Sequence, residues 1–113
     1  MSDVILLGED GYDLVDRLKS AGLEVTTLTG FPTGADLDDA GVEDAEVVLV
    51  ADVHLASLIP VARERQPTIQ VIVYSTDRLP PFASAQADLA VDPTLIDPDE
   101  LVAALLDRIA AVG

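Results

Sequence analysis

Short, continuous apolar runs alternate along this chain with segments whose apolar positions recur every three or four residues. Val4 to Leu7 is the first run, and Gly8 closes it. Gly11 to Ser20 carries Leu14, Val15 and Leu18 at helical spacing, and Ala21-Gly22 stops it. Glu24 to Thr29 is rich in β-branched residues and predicts a second strand, with a loop over Gly30 to Gly34. Asp36 to Ala40 predicts a short polar helix. Ala45 to Ala51 encloses Val47-Val48-Leu49-Val50, a strand with no wet side. Val53 to Arg65 predicts the next helix, and Pro60 inside it predicts a kink or a late start. Val71 to Tyr74 and Leu89 to Val91 are the fourth and fifth strands, separated by Leu79-Pro80-Pro81 and a short helix near Phe82 to Gln86. The last helix opens with Asp97 as N-cap, Pro98 in the first helical position and Glu100 completing a capping box. Its apolar stripe is Leu101, Val102, Leu105, Leu106 and Ile109.

Strands too apolar for a half-wet sheet, alternating with helices, imply a parallel sheet covered on both faces. The expected fold is a single α/β domain over residues 1–113: a three-layer α/β/α sandwich with a five-stranded parallel sheet, Rossmann-like, in the order 3-2-1-4-5. Ligands of such folds bind beyond the carboxyl ends of the strands. That places the site on three loops: Gly8 to Tyr12, Thr29 to Phe31, and Ala51 to His54.

Charge changes the picture next. Twenty-one acidic against six basic residues in 113 give a net charge of −15. Such a chain repels itself at low salt. At molar salt the Debye length falls to about 3 Å and the repulsion fades. The acids are spread along the chain, which fits a salt-accumulating cytoplasm of the kind halophilic archaea maintain. The same charge argues against nucleic acid as a partner. No cysteine is present, so disulfides, thiolate ligands and a catalytic thiol are excluded. The start of the chain shows no signal-peptide pattern, and no apolar run is long enough to span a bilayer. A cytoplasmic location without membrane contact is expected.

The chain resembles the TrkA-N (RCK) nucleotide-binding family. The resemblance is carried by Ala40-Gly41-Val42-Glu43-Asp44-Ala45-Glu46-Val47-Val48-Leu49-Val50-Ala51-Asp52, and continues through Ala62-Arg63-Glu64-Arg65-Gln66-Pro67 into Val71-Ile72-Val73. The spacing from Gly11 to Ala21-Gly22 and Glu24-Val25 suits that family's first βαβ unit. It implies a regulatory or ligand-sensing module that pairs as a homodimer and takes NAD(P) or another nucleotide. The implied site is Gly8, Glu9, Asp10, Gly11 and Tyr12 at the first turn, Thr29 after the second strand, and Ala51 and Asp52 after the third. The site is degraded: Gly8-Glu9-Asp10-Gly11 is a shortened glycine-rich turn without the glycine that admits a pyrophosphate. Glu9 and Asp10 place carboxylates where that anion would sit, and Asp10 suits an N-cap of the first helix.

A second resemblance is to response-regulator receiver domains, whose strand order is 2-1-3-4-5. Their site holds acids after the first strand, a phosphorylatable aspartate after the third, a Ser or Thr after the fourth and a lysine after the fifth. Here the corresponding residues are Glu9 and Asp10, Asp52, Ser75 and Thr76, and then Asp92 followed by Pro93. An aspartate in place of the lysine inverts the charge a phosphoryl group needs. The alternative is therefore a pseudo-receiver, an interaction module without phosphotransfer. Glu9, Asp10 and Asp52 also offer oxygen ligands to a divalent cation, but three carboxylates in so acidic a chain read as solvated surface. His54 has no partner evident in sequence, Tyr12 packs at the start of the first helix, and Phe31 and Phe82 fill core or interface. No nucleophile–base pair or acid–base dyad stands out, so a small enzyme ranks last and no catalytic residue is assigned.

Overall fold

The computed structural model describes residues 3–9, 13–76, 81 and 85–112. Its strands are β1 (Asp3–Leu7), β2 (Glu24–Leu28), β3 (Val47–Val50), β4 (Gln70–Tyr74) and β5 (Leu89–Val91). All neighbouring pairs are parallel, as the continuous apolar runs predict. Between them lie α1 (Leu14–Ser20), α2 (Gly34–Asp39) and α3 (Leu58–Arg65), and α4 (Pro98–Val112) follows β5.

Side chains alternate across the strands and build one core on each face of the sheet. Ile5, Leu7, Val48, Val50, Val71 and Val73 meet Leu37 of α2 and Ile59 and Ala62 of α3. Val4, Leu6, Val47, Leu49, Ile72 and Tyr74 meet Leu14 and Leu18 of α1 and Leu101 and Leu105 of α4. The three-layer α/β/α architecture expected from the sequence is therefore present.

The strand order is not the expected 3-2-1-4-5 but β2-β1-β3-β4-β5. The reason lies in two strands. Every residue of β3 is buried, which demands a neighbour on each side. In β2, Glu24, Thr26 and Thr27 are exposed, a composition suited to a sheet edge. The expected order would have placed β2 inside and β3 at the edge.

Local chemistry explains the helix ends. The first helix begins at Leu14, not Gly11, with Asp13 at the N-cap in a left-handed conformation (φ 54°), so Asp13 and not Asp10 holds that position. Aspartate tolerates that conformation better than most residues. The six-residue α2 is too short to persist alone. It is held by a capping box between Thr33 and Asp36 and by fully buried Leu37. Pro60 delays α3: a 3-10 turn covers Val53–Leu55, and the helix starts at Leu58. Pro60 then falls in the first turn, where its missing N–H has no helical partner to lose. Asp97 caps α4 by accepting from the Glu100 N–H at 2.8 Å. Of its expected apolar stripe, Leu106 faces water instead. In the predicted short helix, Pro81 is helical and accepts from the Ala85 N–H, while Phe82 lies outside the described residues. No helix among the described residues is long and apolar enough to cross a membrane.

Candidate functional site

The carboxyl ends of β1, β2 and β3 open onto a hollow of about 610 Å³, lined by Gly8, Glu9, Gly30, Phe31, Ala51, Asp52, His54 and Leu55. Its floor is set by main chain. The Leu7 carbonyl accepts from the N–H groups of Ala51 (2.8 Å) and Asp52 (3.3 Å), and the Gly8 N–H donates to Leu28 at 2.9 Å. Three strand ends are thereby locked together. Gly8 takes φ +116°, and a Cβ there would lie 2.8 Å from the Asp52 Cβ. Only a residue without a side chain permits this approach of the first loop to the third.

Asp52 turns back on its own loop. Its Oδ1 accepts from the His54 N–H at 2.9 Å and lies 2.9 Å from His54 Nδ1. These bonds, the backbone one foremost, hold the Asp52 carboxyl below its ordinary range despite partial burial. The His54 partner that sequence reading missed is thus two residues away, and the aspartate-x-histidine spacing across a 3-10 turn was the available signal. Leu55, buried beneath the hollow, was missed as well.

Of the residues expected at the site, Gly8, Glu9, Ala51 and Asp52 line the hollow together, whereas Thr29 is exposed and does not. Asp10, Gly11 and Tyr12 lie outside the described residues. Phe31 is 98% exposed, which removes the core from its two expected places, core or interface. Among the described residues, no three acidic or histidine side chains are grouped so as to hold a metal ion.

Past β4 and β5, Ser75 and Asp92 stand on adjacent loops, and the Ser75 N–H donates to the Val91 carbonyl at 3.2 Å. Asp92 Oδ1 accepts from the Thr94 N–H (2.8 Å) and hydroxyl (2.7 Å), which holds its carboxyl below its ordinary range. The loop after β5 thus presents a carboxylate stabilised in its charged form.

Residues 4–105 match the family described as Family of unknown function (DUF7126). The chain belongs to this family. No curated protein matches it. Among solved structures, this DUF7126 chain is similar to an orphan response regulator of H. pylori, HP1043, at 22% identity, with 96% of each chain covered and a TM-score of 0.74. An atypical orphan response regulator, described as having a phosphorylation-independent regulatory mechanism, matches at 21% identity over 95% of each chain, with a TM-score of 0.67. A CheY-like protein, TadZ of Pseudomonas aeruginosa, matches at 20% identity over 96% of this chain and 99% of the other, also with a TM-score of 0.67.

At this identity the likeness establishes the fold of the DUF7126 chain: flavodoxin-like, in the receiver arrangement. It overturns the TrkA-N resemblance, and the degraded dinucleotide module implied by it goes too. The physical reason is topological. In the observed order the switch point lies between β1 and β3. There Glu9 and Asp52 line the hollow, and two carboxylates disfavour a pyrophosphate.

Proposed function

We propose that this chain is a pseudo-receiver: a protein-interaction module on a receiver fold, without phosphotransfer. One observation carries the reading: Asp92, held by Thr94, stands after β5 where a receiver needs a cation. A phosphoryl group on Asp52 would add roughly one negative charge, with no described lysine or arginine lining the hollow. One oxygen of the Asp52 carboxylate, Oδ1, is also engaged by His54. The strand order supports the fold half of the reading. The phosphorylation-independent mechanism described for one similar structure shows that the fold can serve without this chemistry.

The test is acetyl phosphate with Mg²⁺ in molar KCl, read by intact mass. The expected result is an unmodified chain, and beryllofluoride with Mg²⁺ leaves the melting temperature unchanged. A phosphoryl mass increment that disappears in Asp52→Asn would overturn the proposal. The cytoplasmic setting and the homodimer expected from the sequence belong to the same proposal. Sedimentation velocity in molar KCl tests the homodimer, and a single-chain mass rejects it.

A further inference from the structure

Phe31 is the most exposed large apolar side chain of the described surface. It follows Gly30, whose φ of +75° turns the chain sharply between β2 and α2. A phenyl ring wholly in water contributes no burial to folding. It lines the hollow at the carboxyl ends of the strands together with Ala51, Leu55 and two acidic residues, Glu9 and Asp52. No described lysine or arginine lines the mouth of this hollow. Asp52 presents a second oxygen, Oδ2, that takes no hydrogen bond among the described residues.

We propose that this mouth docks an arginine-bearing segment of a partner protein, with the guanidinium stacked on Phe31 and paired with Asp52. The inference rests on the pseudo-receiver reading, because it names the partner chemistry of that module. Three arguments select the occupant. An aromatic face beside carboxylates attracts a cation. A guanidinium is planar and weakly hydrated, so it can stack and bond a carboxylate at once, where a lysine ammonium cannot. A chain of charge −15, with no described lysine or arginine at this mouth, disfavours nucleic acid and draws a basic protein surface.

The probe is the peptide acetyl-Gly-Leu-Arg-Leu-Gly-amide, titrated into ¹⁵N-labelled protein in molar KCl, where long-range attraction is screened and contact pairs remain. The expected amide shifts centre on Gly30, Phe31, Asp52 and His54. The lysine counterpart binds more weakly and the uncharged citrulline counterpart does not bind. Phe31→Ala and Asp52→Asn each weaken the arginine peptide roughly tenfold, while Asp107→Asn, remote on α4, leaves it unchanged. Because Phe31 is in water, its alanine variant keeps the fold, and its remaining amide spectrum verifies that. Shifts scattered over the surface, equal binding of the citrulline peptide, or full affinity in Phe31→Ala would overturn the proposal. So would concentration-dependent shifts of the same amides without peptide, which would assign the mouth to a second copy. Phosphorylation of Asp52 would refute the pseudo-receiver reading by itself. An unphosphorylated chain that ignores the peptide refutes only the partner.

Discussion

Gly8 shows how much one missing side chain decides. Its φ of +116° and the 2.8 Å separation from the Asp52 Cβ leave no room for alanine. Gly8→Ala is expected to lower stability by about 3 kcal/mol, from backbone strain plus displacement of the third loop, measured by urea denaturation. Asp52 is the counterpart in charge. Its folded carboxyl titrates below the unfolded range because His54 donates to it. The native state therefore binds fewer protons than the unfolded one through that window. The contribution is present above the unfolded value of about 3.9 and is lost as pH falls through the folded one. Comparing urea midpoints of wild type and Asp52→Asn should show a gap at neutral pH that closes below about pH 4. A gap constant with pH would refute this. Asp92 obeys the same sign, with Thr94 as donor. At this scale the sequence was partly legible. The glycine and the aspartates were singled out by position. The hydrogen bond from His54 was not, because a 3-10 turn imposed by Pro60's delay of α3 brings the two together.

Among the elements, α3 and the short β5 depend on one carboxylate. Asp88 Oδ2 accepts from the Val71 N–H at 2.7 Å and from Arg63 at 2.6 Å, and Arg63 also donates to the Gln86 carbonyl at 2.9 Å. The side chains of Arg63 and Asp88 are each 29% exposed, so the pair is only moderately screened. A three-residue strand has few ladder bonds of its own, and this junction fastens its entry to β4 and to α3. Asp88→Ala strands the Val71 amide and should cost about 1–3 kcal/mol. Hydrogen exchange should quicken first at Val71 and along β5. Uniform quickening across the sheet would contradict this assignment. Nothing in the periodicity announced Asp88, since a charged residue before an apolar run reads as ordinary surface. The start of α4 was legible because its cap is contiguous in sequence, Asp97 with Glu100, whereas α2 begins at Gly34 behind the Thr33 cap, two residues before the expected start.

Across the whole molecule, two orders of the same five strands share one pattern of apolar runs and helices, so periodicity alone could not choose between them. The choice was written in polarity: wet β2 belongs at the rim and dry β3 in the middle. The TrkA-N resemblance drew on the segment around β3, which both arrangements contain, and so carried no weight on order. Charge acts at this scale too. With −15 on one small chain, raising KCl from about 0.1 M to about 1 M shortens the screening distance from about 10 Å to about 3 Å. The urea midpoint is expected to rise over that range, and a flat or falling midpoint would refute self-repulsion as the dominant surface term.

Tyr74 gives the molecule a gauge of its own. Its ring is buried at the end of β4, and its hydroxyl donates to the Ile96 carbonyl at 2.7 Å, just ahead of α4. The chain has two tyrosines and no tryptophan, so near-ultraviolet absorbance and emission come mainly from two phenols. Loosening of the last helix strips one of them of its acceptor and wets its ring. The seating of α4 can thus be followed optically, without a label, in any salt.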